Sequence, residues 1–327
     1  MARAATSFRY ASEVLLDQCA DLELPVRFLG GLPDGFTIEG PSGEVISIRL
    51  VGSADSMLEQ VLRGLSVTFG ELKLLAVGES KEVRLLTPRI AVARLLPSVY
   101  SFTNNRYGMV PGTERVRTIF CAEVFRAMTR RPGPQHLSNA FLGLVDSDQG
   151  LLLAEHVVTP GNLEVRVKRY HIGSPVHRYR YTEAQETAFG GTPLARWSRF
   201  ETPVVCFDWR NPLEDENGKR LADEPLPDDY ASIWIDDCVR AKQLARDTFA
   251  WLEELFAERG LQLIDICFFI DRTGSVIFGE ISPDCMRVRS RAADDSEALD
   301  KDQWRSGGEP AAVLDQYEKL YQIMFAS

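Results

Sequence analysis

Alternating apolar and polar positions predict a chain of short strands interrupted by a few amphipathic helices. The clearest strands are two apolar runs, 261–270 and 275–281, on either side of the turn 271–274. The clearest helix covers 236–259, where an apolar stripe recurs at helical spacing and Gly260 follows as a stop signal. Further helices are predicted over 12–21, 55–64, 113–129 and 310–325, and strands over 36–39, 44–50, 72–86 (a hairpin), 90–96, 141–157 (two strands) and from 163 onward.

Composition places the chain among ordinary globular proteins and excludes several function classes. It has 327 residues, of which 45% are hydrophobic and 26% charged, enough for two lobes. No apolar run is long enough to span a bilayer and no apolar secretion signal opens the chain, so we expect a cytoplasmic protein without a membrane partner. The net charge of −10 disfavours nucleic acid as a partner. Six scattered cysteines and four histidines lack zinc-site spacing, so no metal site is predicted.

A basic segment stands out in this acidic chain. Ser174 and Pro175 predict the start of a helix, whose N-terminal N–H groups favour anions. The pattern indicates an anion site, and the alternative is a solvated strand face with salt bridges. The basic residues are Arg166, Lys168, Arg169, His171, His177, Arg178 and Arg180.

A second polar cluster follows the apolar run 275–281. It contains Ser282, Asp284 and Arg287, with Glu280 two residues before Ser282. An arginine in this position could bind a phosphate through two parallel hydrogen bonds. The alternative is a Ser-Pro-Asp turn capped by its own side chains.

These two clusters resemble sequence motifs of SAICAR synthetase, the purine-pathway ligase that uses ATP to join aspartate to a carboxyaminoimidazole ribonucleotide. The first motif, approximately VVRNxAAGSLxKR, is similar to 166–178. The resemblance implies that Lys168, Ser174, Arg178, Ser282 and Arg287 bind the 5′-phosphate of a ribonucleotide. The residues that fit the second motif are Leu263, Asp265, Gly274, Glu280, Ile281, Ser282, Pro283, Asp284 and Arg287.

The resemblance also implies an architecture. The family fold is an α/β (α+β) structure of two lobes with antiparallel sheets and a cleft between them. Three segments are expected: an extension over 1–70, a small nucleotide-binding lobe over 71–160, and a large ribonucleotide-binding lobe with C-terminal helices over 161–327. Lys81 resembles a residual lysine of the family's first hairpin turn. Arg210 and Glu224 weakly resemble its substrate loop, and a solvated loop is the alternative.

Several positions depart from the family where it binds ATP. Phe269 and Gly279 stand where the family has its magnesium-binding carboxylates, and Cys267 replaces a lysine. Magnesium requires oxygen ligands, which these residues do not offer from their side chains. Asp271 could substitute for one lost carboxylate if the strand bulged. We therefore predict no cofactor, and ATP with Mg²⁺ only if the chain is a ligase after all.

Three hypotheses for function follow. The first is an enzyme that rearranges or closes the ring of an imidazole- or purine-type ribonucleotide without ATP, similar to the SAICAR-synthetase-like proteins of coformycin and pentostatin biosynthesis. The second is an ATP-dependent amide ligase, and the third is a non-catalytic nucleotide-binding partner. The expected partner is a small-molecule ribonucleotide, and a homo-oligomer is left open. The candidate acid/base groups are Asp265, Glu280, Asp284, His171 and Cys267.

Overall fold

The computed structural model describes residues 2–50, 54–101, 106–131, 137–173, 182, 193–211, 214–218, 221, 223–291 and 298–326. All pairs between its extended strands are antiparallel. The predicted α/β class with antiparallel sheets is confirmed. None of the helices in these described ranges is both long and apolar enough to cross a membrane.

The elements are numbered in chain order. The strands are β1 (Arg27–Leu32), β2 (Gly35–Glu39), β3 (Val45–Arg49), β4 (Lys73–Val77), β5 (Lys81–Leu85), β6 (Ile90–Leu95), β7 (Ser98–Ser101), β8 (Arg106–Met109), β9 (Phe141–Ser147), β10 (Gly150–His156), β11 (Pro160–Tyr170), β12 (Arg199–Trp209), β13 (Glu224–Leu226), β14 (Leu261–Asp271), β15 (Ile277–Phe278) and β16 (Met286–Ser290). The helices are α1 (Ala2–Asp21), α2 (Ala54–Gly64), α3 (Thr113–Arg130), α4 (Asp228–Ala231), α5 (Cys238–Ala257), α6 (Asp302–Arg305) and α7 (Pro310–Phe325).

The contacts group the chain into two compact units. The first contains Met1–Leu96 and Ala140–Val157, and the second contains Pro97–Asn139 and Val158–Ser327. In the first unit, β1-β2-β3 form one sheet and β4-β5-β6-β10-β9 form another. Helix α2 contacts β3 and β9, and residues such as Phe36 and Val145 share one apolar core. Residues before 70 thus pack with later strands, while the proposed domain boundaries at 70 and 160 stay a prediction.

The second unit is built on a six-stranded sheet in the order β13-β12-β11-β14-β15, with β16 also paired to β14. One edge of β14 pairs with β11, and the other pairs first with β16 and then with β15. Helix α5 contacts β11, β12 and β14, so it covers one face of the sheet. Asp237 caps this helix by accepting a hydrogen bond from the N–H of Arg240 at 2.9 Å.

A second layer of this unit joins α3 to α7. The Phe120 and Phe325 rings meet edge to face, with centroids 5.1 Å apart. A small apolar cluster beside them contains Val116, Trp304 and Tyr317. Through this packing, α3 lies close to the turn after β15 that carries the second polar cluster.

The structure corrects the sequence expectation for 275–289. The strand after the 271–274 turn has only two residues, 277–278, and ends two residues before Glu280. Residues 283–285 form one turn of 3-10 helix, and β16 then returns to pair with β14. The hairpin β7-β8 and the short helix α6 were not predicted either.

Candidate functional site

One face of the second unit's sheet carries its charged residues in rows that cross the strands. Strand β11 contributes Glu164, Arg166 and Lys168, which share a face because strand side chains alternate. Their neighbours in strand register are Asp208, Cys206 and Val204 on β12 and Phe269, Cys267 and Asp265 on β14. The opposite face of β11 presents apolar residues such as Val165 and Val167, which are fully buried. Arg169 reaches α5 from that face through Glu253.

The first row joins Lys168, Asp265 and Arg287 on three adjacent strands. Lys168 Nζ and Arg287 Nη1 each lie 2.6 Å from the same oxygen, Asp265 Oδ2. Lys168 Nζ also donates to the Ile172 carbonyl at 2.9 Å. Two cations therefore share one buried carboxylate, which leaves the row with a net positive charge.

Burial and charge shift the pKa values of this row. Burial, together with the nearby charges of Arg287 and Arg166, lowers the pKa of Lys168 to about 8, although Asp265 opposes the shift. Burial alone would raise the pKa of Asp265, but the charges of Arg287 and Lys168 outweigh it and hold that pKa well below its usual value. Asp265 thus remains ionised at neutral pH, while Lys168 titrates close to it.

The backbone of Gly173 lies against the Arg287 side chain. Gly173 has φ +78°, and a Cβ there would lie 2.7 Å from Arg287 Nη2. A side chain at this position would therefore be strained and would also displace the guanidinium. Two further predicted phosphate ligands, Ser174 and Arg178, lie outside the described residues.

The second row (Arg166, Cys206 and Cys267) and the third row (Glu164, Asp208 and Phe269) share a denser ion-pair network. Arg166 contacts both Asp208 and Glu164, the latter at 3.4 Å. Arg210 donates to Glu164 at 2.9 Å and lies 3.7 Å from Asp223, so this residue of the predicted substrate loop joins the same face. Glu224, its predicted companion, is exposed on β13 at the edge of the sheet.

Cys267 lies in the second row, opposite Arg166. Its Sγ is 3.4 Å from the Cys285 carbonyl. Burial raises the pKa of the Cys267 thiol to about 12, and the charge of Glu164 adds to the shift. Because the thiolate is the reactive form, this environment does not activate Cys267.

Glu280 and Ser282 are held inside the protein. The fully buried Arg117 of α3 binds Glu280 through two parallel hydrogen bonds, Nε–Oε1 at 2.7 Å and Nη2–Oε2 at 2.8 Å. The Ser282 hydroxyl donates to Glu280 and accepts from the N–H of Asp284. These contacts join the 280–284 turn to α3 and favour a structural role for both side chains.

The other two acid/base candidates are also engaged. The Asp284 carboxylate accepts from the Tyr317 hydroxyl at 2.8 Å and from Lys301 at 3.1 Å. His171 is 2% exposed, and its ring meets that of Phe200 edge to face, with centroids 6.4 Å apart. Lys81 lies in the first unit at the start of β5, where its carbonyl accepts from the N–H of Gly78. The catalytic and binding roles proposed for these residues stay predictions.

Sequence reasoning missed a charged cluster beside Arg287. Asp300 accepts from Arg289 at 3.0 Å and from Arg305 at 2.6 Å, and Asp302 contacts both arginines. Asp302 also lies 3.9 Å from Arg287 Nε. The segment 300–305 contains two acidic and two basic residues, but nothing in that pattern alone indicates which strand it meets.

The residues where the family binds magnesium do not fit a metal. The rings of Phe269 and Phe278 meet across β14 and β15 with centroids 5.7 Å apart. Asp271 cannot substitute, because both of its oxygens accept hydrogen bonds within its own turn from residues 273, 275 and 276. Asp265 is held by two cations. No oxygen-rich ligand set for magnesium is formed by these positions.

Comparisons with known proteins identify the relatives of this chain. A family model described as SAICAR synthetase matches residues 100–321. The bifunctional cordycepin biosynthesis cluster protein 3 of Cordyceps militaris is 26% identical over 297 residues, which are 77% of this chain and 33% of that protein. The phosphoribosylaminoimidazole-succinocarboxamide synthase of Methanocaldococcus jannaschii is 31% identical over 146 residues, which are 44% of this chain and 53% of that enzyme. The chain thus spans about a third and about half of these relatives.

The fold is similar to solved structures. The SAICAR synthase of Saccharomyces cerevisiae, solved with SAICAR, superposes with a TM-score of 0.60 at 16% identity, covering 80% of this chain and 98% of the yeast chain. At this level of identity the likeness concerns the fold.

Proposed function

The chain belongs to the SAICAR synthetase family, and we propose that it is an enzyme that acts on an imidazole- or purine-type ribonucleotide without ATP. The reaction class we infer is ring formation or rearrangement in nucleoside antibiotic biosynthesis. The similarity to a protein named for cordycepin biosynthesis supports this setting. The finer assignment to coformycin- or pentostatin-type pathways belongs to the same proposal.

The observation that carries the proposal is the row Lys168–Asp265–Arg287. Two cations converge on one oxygen at 2.6 Å, and the Gly173 backbone packs so closely against the Arg287 guanidinium that a Cβ there would lie 2.7 Å from Nη2. A phosphate can bind such a pair through charge-assisted hydrogen bonds. Asp265 then acts as a positioning residue that holds both cations in place.

The absence of ATP from the proposed reaction rests on residue chemistry. Phosphoryl transfer needs cations or metal ions that neutralise the triphosphate. The aromatic pair Phe269 and Phe278 occupies one expected metal position, and Gly279 offers no side chain at the other. No step through ATP or magnesium is therefore proposed.

A second candidate function is a non-catalytic ribonucleotide-binding partner. One observation favours it: the acid/base candidates Asp265, Glu280 and Asp284 are each engaged by buried or half-buried cations of the protein itself. The nearby cations hold the pKa values of Asp265 and Asp284 below their usual values, and a carboxylate whose lone pairs are already in use is a poor general base.

The test is calorimetric titration of the purified chain with aminoimidazole carboxamide ribonucleotide, with its nucleoside, and separately with ATP–Mg²⁺. We expect the ribonucleotide to bind and the other two to bind far more weakly. Lys168→Ala and Arg287→Ala are each expected to weaken ribonucleotide binding by about 1.5–3 kcal/mol, the range for a hydrogen bond to a charged group. Arg246→Ala, which removes an arginine of α5 bonded to the Pro203 carbonyl, is the control.

Two outcomes contradict the proposal. Unchanged affinity in both variants means that the phosphate does not bind at this row, and tight ATP–Mg²⁺ binding restores the ligase hypothesis. Mass spectrometry of imidazole- and purine-type ribonucleotides incubated with the chain separates the two candidate functions. Conversion without ATP supports the enzyme, and binding without conversion supports the non-catalytic partner.

A further inference from the structure

We propose that Phe269 and Phe278 form a base subsite that stacks against a planar heterocycle bearing amide or amino N–H groups and no carboxylate. This inference rests on the proposed function, because the proposed phosphate row (Lys168, Asp265 and Arg287) defines where the base lies. It goes further by naming the chemical class of the base.

The distance along β14 from the row Lys168–Asp265–Arg287 to the aromatic pair suits the length of a nucleotide. Asp265 and Phe269 lie four residues apart on the same face of β14, which is about 13 Å at the rise of a strand. A nucleoside monophosphate in an extended conformation has a similar length. With the phosphate at Lys168 and Arg287, the sugar crosses the row of Arg166 and Cys267, and the base meets the aromatic pair.

The aromatic pair itself is suited to stacking. Phe269 and Phe278 are direct register partners on β14 and β15, and their ring planes are tilted by 36°. Both side chains are only half-buried, so part of each ring is accessible. Aromatic rings bind bases through their faces, and loss of one such contact weakens binding from about fivefold to more than a hundredfold.

The charges beside the rings select the type of base. Glu164 is the register partner of Phe269, and the local network holds three carboxylates, on Glu164, Asp208 and Asp223, against the guanidinium groups of Arg166 and Arg210. Three carboxylates against two guanidinium groups leave this network with one net negative charge. The net negative charge of this network repels a carboxylate on the base. N–H groups on the base can instead donate to the carboxylate oxygens of the protein, since each of these oxygens accepts more than one hydrogen bond.

The experiment compares three ligands by calorimetry on the full chain: ribose 5-phosphate, aminoimidazole carboxamide ribonucleotide, and carboxyaminoimidazole ribonucleotide. The last two differ only by an amide in place of a carboxylate. We expect the carboxamide to bind at least tenfold more tightly than the carboxylate, and more tightly than ribose 5-phosphate.

Variants locate the base. Phe269→Leu keeps an apolar side chain on β14 but removes the ring, so it should weaken carboxamide binding fivefold or more and leave ribose 5-phosphate binding within twofold. Phe269→Tyr keeps the ring and should retain the wild-type affinity for the carboxamide. Circular dichroism of each variant checks the fold, and unchanged ribose 5-phosphate binding shows that the phosphate row is intact.

The outcomes separate this inference from the function on which it rests. Equal affinity for carboxamide and carboxylate, or an unaltered affinity in Phe269→Leu, overturns the base subsite and leaves the phosphate row standing. If ribose 5-phosphate and both ribonucleotides fail to bind the wild-type chain, the proposed function falls and the base subsite falls with it.

Discussion

Replacing Asp265 by asparagine should destabilise the fold, because two buried cations share its charge. The change keeps the shape of the side chain. It leaves Lys168, which is 2% exposed, and Arg287, whose side chain is 13% exposed, without the carboxylate that both contact at 2.6 Å. Removing one partner from a buried ion pair costs about 3–5 kcal/mol.

The structure refines that magnitude. Lys168, with a pKa of about 8, can lose its proton in the variant. Because Asp265 opposes the lowering of this pKa, its loss lowers the pKa further, so deprotonation in the variant costs less than about 1.4 kcal/mol at pH 7. Arg287 cannot deprotonate, and Asp302, at 3.9 Å, compensates it only in part. We therefore expect a loss of about 3 kcal/mol in the free energy of unfolding at pH 7, and about 1 kcal/mol less at pH 9, where Lys168 is largely neutral in both proteins.

Urea unfolding followed by circular dichroism at both pH values measures this loss. The matched control is Asp228→Asn, which removes a carboxylate 2.7 Å from Lys242 but with its side chain 55% exposed. That change should cost less than about 1 kcal/mol, as exposed ion pairs do. A loss below 1 kcal/mol for Asp265→Asn, or the same loss at pH 7 and pH 9, would refute the electrostatic reasoning.

Three further predictions concern the same unit. Since Lys168 is protonated below its pKa of about 8 and neutral above it, ribose 5-phosphate affinity should fall about tenfold from pH 7 to pH 9 in calorimetry, and Lys168→Arg should remove this dependence. Gly173→Ala should cost about 1–2 kcal/mol of stability, because φ is positive at this position. It should also weaken phosphate binding, because the new side chain displaces Arg287. Lost stability with unaltered phosphate binding would contradict the contact between residue 173 and Arg287. Arg117→Met should cost about 3–5 kcal/mol in urea unfolding because it leaves Glu280 buried without its partner, and a cost under 1 kcal/mol would show that the pair is dispensable.

Local signals in the sequence were sufficient for much of the fold. The hairpins β2-β3 and β4-β5 and the helices α2, α3, α5 and α7 were predicted to within a few residues, because turn residues and apolar periodicity are visible in a short window. Strand β16 was missed, because it has five residues and its apolar pattern is interrupted by arginines. It exists through pairing with β14, which no local pattern encodes.

The candidate site shows the same limit. The basic residues Lys168 and Arg287 could be selected from the sequence, yet the position of Asp265 between them depends on the register of three strands. The partner of Glu280 was not predictable, since Arg117 precedes it by 163 residues. Charge and residue type indicate which side chains are unusual, while only the tertiary pairing shows which of them meet.

The second polar cluster illustrates why a sequence motif is not a functional unit. Glu280 and Asp284 contact α3 and α7 through Arg117 and Tyr317, so these positions build the fold. Arg287, three residues after Asp284, points to the other side of β16 from the buried Val288 and reaches the charged face. The first part of this motif, Glu280 to Asp284, can be retained for the architecture alone. A family resemblance carried by the motif is therefore compatible with an altered reaction. Function has to be assigned by the face that a side chain reaches, and in this chain that face carries the row Lys168–Asp265–Arg287, the ion-pair network and the aromatic pair.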